Sequence, residues 1–482
     1  MKNKMKTIAK LFIAICSLFM PVFTFAQQEP QRPKIARNTI VYTSADNKII
    51  KPHNADAFNA KIVSNTYQNG QGVIIFDKEI TSIGNKAFSR CQSMTSVTIP
   101  DSVTEIGHVA FAFCTSLTNI TIPNSVTEIG HEAFAFCTSL TNITIPNSVT
   151  KIGMAVFTGC LNLTTFYGKY ASSDNRCLIV NGVLNSFAPA GLTKYTIPNG
   201  IAAIGSIVFQ YCKNLTSVTI PNSVTKIGDR AFEKCSNLTS VTIPNSVTKI
   251  GFAAFEECSN LTSVTIPSSI TEIGECAFAE CLSLTAFYGK FASSDNRCLI
   301  VNGVLNSFAP AGLTKYTIPN GITAIGYFAF AGCENLTSVT IPNSITSIER
   351  SAFWGCENLT SVTIPNSITK IGESTFYCCK NLTSVTIPNS VTEIEDSAFS
   401  FSGLISVTIP NSVTKIGKSA FMNCWRLTSV YCKSTTSPSL GEYVFNQNAP
   451  GRKIYVPRNS IEAYKTAEGW KTYADAIVGY DF

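Results

Sequence analysis

The stretch "LTSVTIPNSVTKIG" at Leu215–Gly228 returns letter for letter at Leu238–Gly251, and with small changes along most of the chain. The Ile-Pro pairs mark its phase, with prolines at Pro100, Pro123, Pro146, Pro198, Pro221, Pro244, Pro267, Pro319, Pro342, Pro365, Pro388 and Pro410. Most steps are 23 residues, one is 22, and two are 52, which is 23 plus 29. A unit that short cannot close a core of its own and must borrow its neighbours, so a fixed period in this range predicts a solenoid. For 482 residues, a prior of about three globular domains therefore gives way to one elongated stack.

The letters of one unit predict its local structure. In "LTSVTIP", Leu215, Val218 and Ile220 are apolar, and Ser217 and Thr219 alternate with the last two. That alternation with β-branched residues is a half-buried strand. Pro221 lacks an N–H and ends the ladder near Ile220. "NS" turns the chain, Val224 and Ile227 point back inside, and Gly228 permits a bend, although Glu349 and Glu395 fill that slot elsewhere. "DRAFEKC" has the spacing of one helical turn or a 3₁₀ piece. Stacked strands about 4.8 Å apart make about fifteen coils span about 70 Å. Phe111, Phe134, Phe232, Phe255, Phe353 and Phe421 then form one column. The expected class is α/β: a solenoid with a curved parallel sheet and short helical or 3₁₀ turns opposite.

The two long steps carry a second motif, "SSDNRCLIVNGVLNSFAPAGLTKYTIPNG", at 172–200 and again 121 residues later at 293–321. Its Asn-Gly between apolar runs predicts a β-hairpin, placing insertions at 168–196 and 289–317 that interrupt the stack without ending it. The solenoid is expected over 79–458, with "GVIIFDKEITSIGNKAF" as a degenerate first coil in which Phe76 stands where Ile99 stands next. Residues 27–78 are the expected N-terminal cover. At the other end, 459–482 reads as a capping helix with Asn459 and Glu462 as capping box, and Ile461, Tyr464, Trp470, Tyr473 and Ile477 facing the last coil.

Residues 1–26 read as a secretion signal: a charged "MKNKMKTIAK", an apolar "LFIAICSLFMPVF" and a small-x-small site before Gln27, with cleavage after Ala26. The apolar run, about 13 residues, is short of the roughly 20 that span a bilayer, and no second span follows. Ile15 before Cys16 does not suit lipid attachment. Removing Lys2, Lys4, Lys6 and Lys10 with this segment lowers the formal charge from +7 to +3. With no basic run or stripe left, nucleic acid is a poor partner. At 45% hydrophobic and 14% charged, the chain is too apolar to stay unfolded.

The unit "LTSVTIPNSVTKIGxxAFxxC" resembles the BspA-like group of bacterial leucine-rich repeats, related to the treponemal type. The opening "IVSNTYQNGQGVIIFDKEITSIGNKAF", the "FYGK(Y/F)ASSDNRCLIVNGVLNSFAPAGLTKYTIP" segments and the closing "IYVPRNSIEAYKTAEGW" resemble secreted proteins of Bacteroides-like bacteria. The resemblance implies a secreted or cell-surface, adhesin-like protein. It implies partners among host extracellular-matrix or plasma proteins, glycans or other bacteria, and carries no catalytic residues. A structural component of the cell envelope without a specific ligand is the alternative.

Other candidate sites read as structural. Of the 17 cysteines left after Cys16, twelve occupy one column: Cys91, Cys114, Cys137, Cys160, Cys212, Cys235, Cys258, Cys281, Cys333, Cys356, Cys379 and Cys424. An odd set in a column gives each thiol two equal neighbours, so buried free thiols fit better than disulfides. Spacings of 23 with no histidine among them are not metal motifs. His108 and His131 should stack in adjacent coils at a freely varied slot. Asp174 and Asp295 in "SSDN" read as turn residues rather than calcium ligands. The only three histidines lie before residue 132, so no nucleophile–histidine–acid set exists, and neither enzyme activity nor a cofactor is expected. "DSV" and "DSA" make Ser102 and Ser397 weak O-glycosylation patterns. The outward strand face reads as a hydroxyl and amide carpet: Ser96/Thr98, Asn119/Thr121, Asn142/Thr144, Ser217/Thr219 and onward. An ice-binding use of that carpet needs a flat lattice, which a curved face does not offer. Tyr167, Tyr288, Tyr431 and Tyr455, with Lys194 and Lys315, break the carpet and are the candidate binding anchors.

Overall fold

The computed structural model describes residues 35–482, and Arg37–Phe482 forms one body. The secretion signal expected at 1–26 lies outside the described residues. The body is a solenoid of about 17 turns, two more than the repeat phase alone suggested. Each regular coil contributes a strand of three or four residues to one face, such as Ser217–Thr219, and a two-residue strand to a second, such as Lys226–Ile227. Both pair in parallel and in strict register with the next coil: Val218 opposes Val241, and Ile227 opposes Ile250. That register follows from the period, because a 23-residue step brings each apolar residue beside its own copy.

The third side of the coil departs from expectation. "DRAFEKC" is a pair of tight turns, with no helix or 3₁₀ segment. Arg230 and Lys234 hold left-handed φ values of 54° and 61°, and nearly every coil repeats the two positions. The reason is the ladder. With these two residues left-handed, the amides of Arg230, Phe232 and Lys234 reach the carbonyls of Phe252, Ala254 and Glu256 at 2.8 Å in the next coil. A helical turn would direct those amides back into its own coil, leaving the flank unjoined.

Inside, the phenylalanines stack. Phe232, Phe255 and Phe278 lie 5.0 and 5.2 Å apart, ring centre to ring centre, within 2° of parallel. All 17 described cysteines are free, and all but Cys378 are buried. Most of the column thiols donate to the phenylalanine carbonyl of the preceding coil, as Cys258 does to Phe232 O at 3.2 Å and Cys235 to Phe209 O at 3.0 Å. Ser402 takes the same slot, 3.2 Å from Cys424 Sγ, so the position asks for a small buried donor. Burial holds these thiols in the neutral form; that of Cys160 is pushed up to about 12. The folded protein is therefore expected to leave the column thiols unmodified by iodoacetamide, with alkylation only after denaturation. Mass spectrometry showing rapid native labelling at Cys235 or Cys258 would contradict this packing.

The hairpins form as expected, Cys177–Val180 against Val183–Phe187 and Cys298–Val301 against Val304–Phe308, turning at left-handed Asn181-Gly182 and Asn302-Gly303. Each second strand then serves as a rung, with Leu184 opposite Ile204 and Leu305 opposite Ile325. The strand face is interrupted here: Thr165–Gly168 ends one sheet and Lys194–Thr196 begins the next, so the solenoid resumes two residues before the expected end of the insertion. The buried side chains accordingly fall into three large clusters, meeting at the two hairpins. Asn185 and Asn306 donate across these junctions to Gly153 O and Gly274 O, each at 3.1 Å.

Residues within 27–78 do cover the first coils, but the expected first coil and the C-terminal cover differ from expectation. Gln71–Phe76 is no first parallel rung. Thr39–Ser44 lies antiparallel beside Met94–Thr98, and Gln71–Phe76 pairs antiparallel outside it with Ile62–Gln68. The Asn69-Gly70 turn sets this hairpin, which makes the apolar run "GVIIF" a hairpin strand and not the start of a coil. At the other end, the single helix expected over 459–482 is broken into Arg458–Ser460, Ile461–Thr466 and Trp470–Ala476, followed by a strand, Ile477–Tyr480, that extends the sheet. Ser460, not Asn459, precedes the helix, without a side-chain capping bond. Gly469 at φ 77° breaks the helix, and Trp470 can then bury itself and donate to Pro438 O at 2.7 Å. Tyr464, Trp470, Tyr473 and Ile477 face the core as anticipated, and Ile461 packs at its margin.

Candidate binding face

The exposed side of the strand sheet carries two columns fixed by register. One holds Ser217, Ser240, Ser338 and Ser361; the other holds Thr219, Thr242, Thr340 and Thr363. Tyr167 and Tyr288 stand in the threonine column, opposite Thr144 and Thr265, and are 42% and 46% exposed. Lys194 and Lys315 stand exposed in the serine column of the first rung beyond each junction, opposite Ser217 and Ser338. The structure thus places a tyrosine on one side of each junction and a lysine on the other.

Tyr431 and Tyr455 are different. They stack on each other at 4.7 Å, and Tyr480 closes edge-on over both at 5.5 and 5.6 Å. Both are only partly exposed, because adjacent rungs in register bring two rings into a face-to-face pair. They form part of the C-terminal closure instead of standing as separate binding anchors.

The remaining candidates take structural roles. His108 and His131 stack at 5.0 Å, and their Nδ1 atoms accept from the amides of His131 and Met154 at 2.9 Å each. Asn85 and Asp229 do the same work in other coils. Asp174 Oδ1 accepts from Ser172 Oγ at 2.5 Å and Arg176 N at 3.1 Å, and Oδ2 from Tyr195 OH at 2.9 Å. Burial pulls this carboxyl upward, but those hydrogen bonds outweigh it and leave it below its ordinary value. Asp295 repeats the arrangement with Ser293, Arg297 and Tyr316. Ser102 is buried, 8% exposed, and donates to Arg37 O, so its hydroxyl is poorly placed for glycosylation; Ser397 is partly exposed. Among the described residues, no group of three or more histidine, cysteine, aspartate or glutamate side chains could hold a metal ion. Nor, among them, is any helix long and apolar enough to cross a membrane.

Two further ladders escaped sequence reading. On the second sheet, Lys249 pairs with Glu272 and Lys370 with Glu393, each at 2.8 Å, and Lys151 with Glu128 at 3.1 Å. The signal was the alternation of "TKIG" and "TEIG". On the turn flank, Phe113 stacks on Phe136 at 4.8 Å, Tyr211 meets Phe136 edge-on across the first junction, and Lys234 lies over Tyr211. Trp354, Tyr377 and Phe401 form a second series. The aromatic letters beside the repeat cysteine, as in "AFAFC" and "TFYCC", carried that information.

The same flank holds Glu233, Glu256, Glu257 and Glu280 near Arg230 and Lys234. Burial first, then the charges of Glu233 and Glu280, push the Glu256 carboxyl from its ordinary 4.5 up to about 7. Its folded pKa is raised, so its contribution to stability is fully present below 4.5 and is lost as pH rises through about 7. Glu256→Gln should therefore raise the melting temperature at pH 8 and leave it nearly unchanged at pH 4. Equal effects at both pH values would refute the assignment.

A family profile for the BspA-type leucine-rich repeat region matches residues 61–173, 184–295, 305–428 and 376–467. Among solved structures, a leucine-rich cell surface protein of Faecalibacterium prausnitzii is 30% identical over 81% of this chain and 94% of its own, with a TM-score of 0.47. A leucine-rich repeat protein of Bacteroides ovatus is 25% identical over 86% and 90%, with a TM-score of 0.39. One from Eubacterium ventriosum is 26% identical over 70% and 84%, with a TM-score of 0.41. No curated protein matches. Six copies of the family's repeat, in the register that builds this sheet, show that the chain belongs to the BspA-type leucine-rich-repeat proteins.

Proposed function

We propose that the chain is exported through its N-terminal segment, loses residues 1–26, and acts at the cell surface as a non-enzymatic, adhesin-like binding scaffold. Its ligands are extracellular proteins or glycans of a host, or the surfaces of other bacteria. The carrying observation is the strand face. Its exposed serine, threonine and asparagine columns hold register from coil to coil, and Tyr167, Tyr288, Lys194 and Lys315 rise from it at the junctions. A face of this kind favours many weak contacts that add along an extended partner. The Faecalibacterium relative, a cell surface protein by name, supports the location.

Residues 27–482 should bind saturably to immobilised matrix proteins, plasma proteins, glycans or bacterial cells. Thr219→Glu, Thr242→Glu and Thr340→Glu together should abolish that binding without unfolding the chain, since all three side chains are exposed. Binding to none of these surfaces would end this reading. A deletion strain with an altered envelope and unchanged adherence would favour a structural component.

A further inference from the structure

The two insertions build the same small platform twice, and the geometry points to a pair of equivalent sites for one repeating polysaccharide. This rests on the strand face being the binding face, and it adds the ligand class. In the first copy, Phe166 N donates to Asn175 O at 2.8 Å, which lays the "SSDN" turn beside the strand carrying Tyr167. Tyr195 OH, donating to Asp174 Oδ2 at 2.9 Å, ties that turn to the rung beyond, where Lys194 is exposed. The second copy repeats each tie: Phe287 N to Asn296 O at 2.7 Å, and Tyr316 OH to Asp295 Oδ2 at 3.0 Å, with Tyr288 and Lys315. Ser173 and Asp174, like Ser294 and Asp295, are exposed at the tips of these turns.

The surroundings select the ligand. A pyranose has an apolar C–H face that lies on an aromatic ring and a rim of hydroxyls that bond to amide, carboxylate, hydroxyl and ammonium groups. Each platform supplies one exposed phenol ring among such groups. Along the two columns from Ser96/Thr98 to Ser384/Thr386, Tyr167 and Tyr288 are the only large exposed apolar side chains among the described residues. Protein hot spots cluster in desolvated apolar centres, whereas this face offers two separate phenol rings set among hydroxyls, an arrangement that favours a sugar polymer. The copies lie on one face, five rungs apart. At about 4.8 Å per paired rung that is at least about 24 Å, a distance a polymer of several sugars spans but a short oligosaccharide does not.

The test is calorimetry of residues 27–482 against soluble xylan, mannan, β-glucan, dextran and pectin, and against trisaccharides of each. One polymer should bind about 100-fold tighter than its trisaccharide. Tyr167→Ala or Tyr288→Ala alone should remove that gain while leaving one trisaccharide site. The double variant should remove trisaccharide binding as well, and Tyr167→Trp should retain it. Polymer binding unaffected by the double variant, or equal affinity for polymer and trisaccharide, overturns the proposal. Binding to matrix proteins but to no polysaccharide also overturns it and leaves the strand-face reading standing. Binding to neither class ends both.

Discussion

Phe255→Ala is expected to destabilise the protein by about 3–5 kcal/mol, and to do so in one third of the solenoid only. The ring is fully buried and stacked on both faces, against Phe232 and Phe278. Its neighbours are held by backbone ladders and cannot collapse into the space. Confinement follows from the core. Phe255 belongs to the middle cluster, which runs from Cys177 to Ala309 and is separate from the clusters on either side. At its ends both sheets are unpaired, whereas within it the second sheet runs unbroken from Leu184 to Ile273, so strain passes weakly between segments. In a repeat stack, stability is a sum of unit and nearest-neighbour terms. Hydrogen exchange should accelerate in coils from about 200 to 287 while Phe111 and Phe421 keep their protection. Uniform acceleration across all three clusters would show that the hairpins transmit cooperativity, contrary to this account.

Gly251→Ala is expected to cost about 3 kcal/mol, more than an added methyl group on a surface turn should. The slot looked permissive in the sequence, since Glu349 and Glu395 occupy it. In the structure, a Cβ at Gly251 would come within 2.5 Å of Asp229 N and 2.6 Å of Gly228 C, both backbone atoms of the preceding coil. Where Glu349 and Glu395 fill the slot, the ladder to the preceding coil is kept, Ile325 to Ile348 and Ile371 to Ile394, so the backbone there accommodates a Cβ without losing its pairing. The ladder lapses between Ile348 and Ile371, where a cleft of about 330 Å³ separates the coils. A Cβ at Gly372 would meet nothing nearer than 3.2 Å there. A Gly251 variant must displace the Gly228–Asp229 backbone within an otherwise unbroken ladder, Lys226 to Lys249 to Glu272. Urea unfolding midpoints decide it: a change below about 0.5 kcal/mol would mean the coils separate freely.

How much could be read without coordinates depended on whether a residue faces its own copy. Val218, Ile227, Phe232 and Cys235 do, and their period placed them in columns correctly. Tyr431 and Tyr455 also face one another in register, yet Tyr480, which closes over them, is not part of the repeat, so their partial burial was not legible. The candidate site was half visible. Tyr167 and Lys194 could be named, but not that the turn at Asp174 would be lashed by Tyr195 to the rung beside them.

The period alone determined that this chain is a solenoid, which residues line it and which face stays polar, because a contact between copies 23 residues apart is written into every repeat. Tertiary structure alone decided the left-handed turns, the antiparallel cover at the N-terminus, the broken helix at the C-terminus and the division of the core into three. Each of these depends on backbone groups that find partners in a neighbouring coil or at an open end, and such pairing is set by how coils meet rather than by the letters of any one of them.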